Sequence, residues 1–410
     1  MVVDPARATS LRWHQRQGVL ACFVTDLVAA ELAQLRPGSL QLPDRPWAAD
    51  LALDERGLGL DSLERLSVAS ALSEALHLDE SGIEDTLLAK RFFGEWLDVA
   101  SDGLDVFDAR LTFRTSGSSG VAKACSHALA DLLQEVEHLA GRFTGIRRVL
   151  SAVPAHHMYG FLHSVLLPDR LDCPEVIDVR HMTPHALSAV LQSGDLMISH
   201  PAHWSVLAKY LRHLPPGVHG VTSTAHCPDA LASQLKDIGL ESLVQVYGSS
   251  ETAGIGIRQS SGAPFQLMPF WSRDPVDGNG LVRTAADGSL SPHPVQDHLE
   301  WLNDRQFSVV GRLDEAVQVG GTNVFPSRVR EVLLAHPQVS DAAVRLMTSE
   351  ASSRLKAFVV PAAGTDVVAL IPELLRWTET RLSVPERPKA FSVGDQLPRN
   401  ALGKLTDWSL

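Results

Sequence analysis

Four short apolar runs separated by helical stretches constrain this chain more than any other feature. They are residues 149–153 (VLSAV), 196–199 (LMIS), 220–223 (GVTS) and 243–247 (LVQVY). Each is too short for a helix and reads as a buried strand. Helices are predicted between them at 184–192, 202–211 and 229–238, each long enough to cross from one parallel strand to the next. The alternation predicts an α/β layered sheet, mainly parallel, from about residue 106. Ligands of such sheets sit where the strand C-termini open.

Just before the alternation lies LTFRTSGSSGVAKAC, residues 111–125. An apolar strand edge at Leu111 and Phe113 leads into a Ser/Gly loop with Lys123, and a helix is predicted over 128–143. Glycines let backbone N–H groups approach a phosphate, hydroxyls add donors and an ammonium offsets charge. The spacing to Lys123 is not that of a GxxxxGK[ST] loop.

The 410 residues allow two or three domains with ample core, and 45% hydrophobic with 20% charged residues is ordinary for a globular protein. A formal charge of −12 argues against a nucleic-acid partner. Cys22, Cys125, Cys173 and Cys227 are scattered, without metal-like spacing, and read as free thiols. The longest apolar stretch, 18–32, is broken by Asp26 and too short for a membrane span. No signal peptide is visible, so a cytoplasmic location is expected.

Three later stretches follow the Ser/Gly loop in order: VYGSSETAG (246–254), VVGRLDEAVQVGGTNVFP (309–326) and LPRNALGKL (397–405). With the loop they resemble the signature motifs of adenylate-forming enzymes, the superfamily of acyl- and aryl-CoA synthetases, peptide-synthetase adenylation domains and luciferases. The resemblance covers about residues 106–410. It implies a layered core (106–312) and a small mobile α+β C-terminal domain (313–410), preceded by a helical region (1–105).

Carried onto this sequence, the resemblance implies that Thr115, Ser116, Gly117, Ser118, Ser119, Gly120 and Lys123 embrace the ATP β- and γ-phosphates. In AVPAHHMYGF (152–161), His157 would lie near the acyl carboxylate and α-phosphate. In VTSTAHCP (221–228), Ala225 belongs to the adenine-binding turn, with Thr224 where the family has glycine. Tyr247 and Gly248 would line the adenine, Ser250 would bond the α-phosphate and Glu251 would hold Mg2+. Asp297 matches the ribose-binding aspartate, although Val295 and Gln296 replace the usual Thr and Gly. Arg312 would be a second ribose or phosphate contact. Asp314 would be the hinge, and Gly320 and Gly321 would line the thiol tunnel. Lys404 would reach the carboxylate oxygen and α-phosphate and stabilise charge there. His156, Tyr159, Phe161 and Thr222 are candidate acid-pocket residues.

In 1–105, a helix–long loop–GLDSL–helix order resembles an acyl carrier protein. Ser62 would then carry phosphopantetheine at a helix N-terminus, with Asp61 and Glu64 as a capping box. The family's usual longer N-terminal segment is shortened or replaced.

The expected activity is ATP- and Mg2+-dependent conversion of a small carboxylic acid to acyl-AMP, then transfer to the phosphopantetheine thiol of an acyl carrier protein. The compact size resembles ligases that load 3- or 4-hydroxybenzoate in aryl polyene pigment pathways. The alternatives are a CoA synthetase and a non-catalytic scaffold, and Lys123, Glu251, Arg312 and Lys404 together speak against the scaffold.

Overall fold

All four apolar runs are strands. The computed structural model describes residues 12–16, 18–36, 41–115, 123–173, 175–275, 280–312, 316–347, 354–398 and 406–408, without the side chains of Thr115 and Arg312. Ser116, Gly117, Ser118, Ser119, Gly120, Asp314 and Lys404 lie outside the described residues.

Helices α1 (Val19–Leu35), α2 (Ser62–Leu76), α3 (Thr86–Ala89) and α4 (Phe93–Val106) come first. Asp61 caps α2 and accepts from Leu63 N and Glu64 N, while Glu64 returns the bond to Asp61 N, as the capping-box reading predicts. Strands β1 (Arg110–Thr115) and β2 (Lys123–Ala128) form an antiparallel hairpin that frames the Ser/Gly loop. Helix α5 (Leu129–Ala140) continues directly from β2. The sequence reading ran from loop to helix and missed β2. Its KACSHA sequence has one buried side chain, Cys125, and so little apolar alternation to detect.

The main sheet holds β3 (Arg148–Ser151), β4 (Glu175–Asp178), β5 (Asp195–Ser199), β6 (His219–Thr222), β7 (Ser242–Ser249), β8 (Ala253–Arg258) and β9 (Phe265–Leu267). Helices α6 (Met158–Gly160) and α7 (Leu167–Arg170), joined by a π-helical segment (Phe161–Leu166), link β3 to β4. Helices α8 (Pro184–Val190), α9 (Pro201–Tyr210) and α10 (Asp229–Asp237) make the next three crossovers. β10 (Trp271–Arg273), β11 (Gly280–Thr284) and β12 (Leu290–Pro294) form a separate antiparallel sheet. β13 (Asp297–Trp301) and β14 (Gln306–Arg312) then return to the main one, whose order is β13-β14-β9-β8-β7-β6-β5-β3-β4.

The expectation of a mainly parallel sheet holds only from β4 to β7; from β7 to β13 every pairing is antiparallel. The connection explains it. Only the YGSSETAG turn separates β7 from β8, and a parallel return needs a crossover of a dozen or more residues.

The parallel strands are apolar on both faces because both are covered. Leu150, Met197, Gly220 and Leu243 lie in register and face α9. Gly220 leaves room for Trp204, since a Cβ there would come within 2.9 Å of the indole. The opposite face, with Val149, Ile198, Val221 and Val244, packs into one cluster with Phe23, Leu72 and Trp96 of the opening helices. A free-standing carrier module would close a core of its own; here the opening helices and the sheet share one. Beyond Ala316, β15 (Val317–Val319), β16 (Thr322–Val324), α11 (Pro326–Leu334), β17 (Val339–Leu346), β18 (Leu355–Pro361), α12 (Val367–Glu379) and β19 (Ala390–Val393) enclose a separate cluster. The layered α/β core with a small C-terminal α+β domain is the architecture expected.

Candidate active site

The turn between β7 and β8 is held from one side by the β1–β2 hairpin. Lys123 Nζ lies 3.3 Å from Glu251 Oε1, and His127 Nε2 lies 2.7 Å from the Ser250 carbonyl. The Lys123–Glu251 pair is half open to water and so worth under about 1 kcal/mol, which leaves the ammonium free to exchange that partner for a phosphate. Burial alone would raise the Glu251 carboxyl. Its own backbone N–H, the Ser249 hydroxyl and Lys123 together bring it below the ordinary value. An ionised, partly desolvated carboxylate fits a hard divalent cation. Gly248 is obligatory, because a Cβ there would sit 2.1 Å from the Ala253 carbonyl oxygen.

Tyr247 turns its hydroxyl away from this loop and donates to Asp297 Oδ2 at 2.7 Å. Its ring packs against Phe265 and Phe307, with centroids at 5.7 and 5.4 Å. Asp297 on β13 stands in antiparallel register opposite Arg312 on β14. The adenine and ribose candidates, 50 or more residues apart in sequence, therefore meet although β7 is central in the sheet and β13 is its edge.

At the end of β6, Thr224 adopts φ +73°, a left-handed conformation that glycine takes without steric cost. The substitution expected from the resemblance therefore falls at a position whose backbone favours glycine. Ser223 Oγ donates to the Val246 carbonyl and ties the turn, which includes Ala225, to β7. Gly321 of the C-terminal domain, at φ +84°, abuts this turn; a Cβ there would lie 2.8 Å from Thr224 Oγ1.

After β3, His156 and His157 stack with ring centroids 4.1 Å apart. The His157 ring reaches solvent while protein crowds its other side, and desolvation lowers its pKa; desolvation and the His157 neighbour hold His156 well below the ordinary value. Both shifts favour the neutral imidazole, which keeps one N–H to donate to a developing anion. Their backbone is fixed by Asp26 of α1. This buried carboxylate accepts the Ala155 N–H at 2.7 Å and pairs with Arg45 and Arg180. Sequence reasoning saw Asp26 only as an interruption of an apolar stretch.

Three pocket candidates have other surroundings. Phe161 is fully buried, packed edge-on or tilted against Trp13, Phe23 and Phe113. Thr222 is 1% exposed and lies in the register row of Gln245, on the α9 side of the sheet. Tyr159 donates to the Ser199 carbonyl at 2.9 Å, and burial raises its pKa well above the ordinary value. His156 and His157 remain at the strand ends. Ser62 is exposed in the first turn of α2.

Residues 67–276 match the family model described as AMP-binding enzyme, and residues 329–404 match the model of the AMP-binding enzyme C-terminal domain. The chain belongs to the AMP-binding enzyme family. A 4-coumarate–CoA ligase from Rhodobacter capsulatus is 39% identical over 393 residues, covering 93% of this chain and 98% of its own. Another from Halorhodospira halophila is 37% identical with the same coverage. Among solved structures, an o-succinylbenzoate CoA synthetase from Bacillus subtilis matches at TM-score 0.62 and 17% identity, over 93% of this chain and 91% of its own. This AMP-binding enzyme is an adenylate-forming ligase, and its substrates are nucleotide and a carboxylic acid.

Proposed function

We propose that the protein activates 4-coumarate, or a closely related hydroxycinnamate, as acyl-AMP and transfers the acyl group to the thiol of CoA. The observation that carries the acid and the acceptor is the likeness, over nearly the whole of both chains, to proteins named 4-coumarate–CoA ligase. The geometry supports the adenylation step. Carboxylate attack on the α-phosphate needs positioning and charge relief more than covalent help.

Lys123 and the Ser/Gly loop draw the phosphates to the strand ends, and Asp297, Arg312 and Tyr247 hold the nucleoside. Glu251 offers the carboxylate ligand for Mg2+, which when bound supplies positive charge to the phosphate oxygens. Neutral His157 donates toward the reacting carboxylate, and Lys404 adds an ammonium to the oxygens that gain charge. Gly320, with open space where a side chain would stand, leaves a path for a pantetheine arm, while Gly321 packs against the adenine turn. His156 borders the acid.

Acid-dependent pyrophosphate release, with hydroxylamine to trap the adenylate, tests the acid across cinnamates, benzoates and fatty acids. The same enzyme is then offered CoA or a holo-carrier protein. The reading expects 4-coumarate to be preferred and the thioester to form on CoA. A preference for 3- or 4-hydroxybenzoate with thioester on the carrier would favour the pigment-type ligase expected from sequence. A mass increase on Ser62 after treatment with CoA and a phosphopantetheinyl transferase would make the carrier intramolecular.

A further inference from the structure

Helix α5 buries Leu132, Val136 and Leu139, and with them a carboxylate, Glu135, which is 0% exposed. A charge on the apolar face of a helix is costly to bury and adds nothing to packing that leucine would not. What it meets is the backbone of the YGSSETAG turn. Glu135 Oε2 accepts the Gly254 N–H at 2.9 Å, while Trp271 Nε1 donates to the Gly254 carbonyl at 2.8 Å, so the peptides on both sides of this residue are held. The approach requires glycine: a Cβ on residue 254 would lie 2.3 Å from Glu135 Oε1. That second oxygen has no hydrogen-bond partner among the described residues.

The residue before the clamp is strained. Ala253 sits at φ +57°, a conformation unfavourable for a non-glycine residue that persists where the surroundings enforce it. Thr252 Oγ1 takes part in the same fixation, accepting the Ser249 N–H at 3.1 Å and donating to the Ala253 carbonyl at 2.9 Å. Glu251 is the next residue back along the chain. Releasing Gly254 lets Ala253 relax to an ordinary conformation and rotates the peptide that carries Glu251. Because α5 follows directly from the hairpin bearing Lys123, one rigid element sets both the phosphate-facing lysine and the metal-facing carboxylate.

We propose that Glu135 is a positioning residue, which fixes the Glu251 carboxylate for Mg2+-bound ATP by clamping the Gly254 amide and holding Ala253 in its strained conformation. The inference rests on Glu251 being the metal-facing group. It predicts that the acceptor, and not the charge, is what matters, so Glu135→Gln retains function and Glu135→Met does not.

The test is calorimetric titration of ATP into the full-length protein over a range of Mg2+ concentrations, with no acid present. Glu135→Met is expected to raise the Mg2+ requirement for ATP binding about 10–100-fold, the usual loss when a supporting partner of a metal ligand is removed. Glu135→Gln stays near the parent. Glu251→Ala separates the two layers. If it leaves Mg2+-dependent binding unchanged, the role of Glu251 itself fails. If it weakens binding while folded Glu135→Met does not, only the role of Glu135 fails. Should Glu135→Met not fold, amide exchange of the wild-type protein decides: strong protection of the Gly254 N–H without nucleotide is expected, and exchange as fast as a surface loop overturns the clamp.

Discussion

The helices before Val106 and the α+β domain after Ala316 relate to the central sheet in opposite ways. Phe23, Leu72 and Trp96 lie in one continuous cluster with Val149, Val221 and Val244 of the sheet. Asp26 reaches from α1 to the backbone beside the histidine pair. The C-terminal domain instead closes its own core around Val329, Leu333, Leu370 and Leu374. It meets the adenine turn at Gly321, where the fit leaves no space for a side chain. The first region shares the core of the sheet, and its Asp26 holds the backbone at Ala155, next to His156. The second is a separable body, as required of a domain expected to present Lys404 for one half-reaction and the Gly320–Gly321 turn for the other.

Core truncations test that contrast most strongly. Phe161→Ala removes the ring shared by Trp13, Phe23 and Phe113 and is expected to cost about 3–5 kcal/mol. Hydrogen exchange should show the opening helices and the sheet loosening together. Leu374→Ala, at about 2–5 kcal/mol, should raise exchange only in β17, β18, α11 and α12. Exchange spreading into the sheet would contradict the separate core.

Lys404→Ala should lower the rate of acid-dependent pyrophosphate release about 10²–10³-fold, the usual cost of removing one charge-stabilising donor. Its Tm should be unchanged, as expected of a lysine proposed to act in the chemistry. An unchanged rate would remove the C-terminal domain from the first half-reaction.

The scaffold also carries a pH signature. Burial lifts the Glu135 carboxyl from 4.5 to about 7, opposed by the Gly254 N–H and Arg283. Below pH 4.5 folded and unfolded chains both hold this proton, and above about 7 both have lost it. Between those limits only the folded chain holds it, so this group's contribution to stability falls as pH rises through the window. Glu135→Gln should flatten that part of the Tm–pH profile, and an unaltered slope would assign it to other groups. The smallest effect concerns the domain contact. Gly321→Ala should cost about 1–3 kcal/mol or shift the domain, and combining it with Thr224→Ala should recover part of that loss, on the order of 1 kcal/mol.

Four of the five parallel strands were legible because strands buried on both faces are apolar throughout, whereas β4, an edge strand reading EVID, has no such run. The small separate antiparallel sheets were not legible, since LSPHP at β12 or KACSHA at β2 has no such run. Tyr247, Asp297, Lys123 and Glu251 were found through motif order, and the structure brings them together in pairs. Phe161 and Thr222 were chosen for nearness to motifs, and alternation along strand and helix placed them in the interior. Asp26 and Glu135 act through backbone amides more than a hundred residues away. Their only trace in the sequence is a single carboxylate on an apolar helical face, a pattern worth reading as a clamp on something else.

Product analysis by mass spectrometry, on the full-length protein given ATP, Mg2+, 4-coumarate and CoA, tests the central claim most directly. The account predicts 4-coumaroyl-CoA, AMP and pyrophosphate in equal amounts, with 4-coumaroyl-AMP accumulating when CoA is withheld. Formation of ADP and phosphate, or of thioester without any adenylate intermediate, would contradict it.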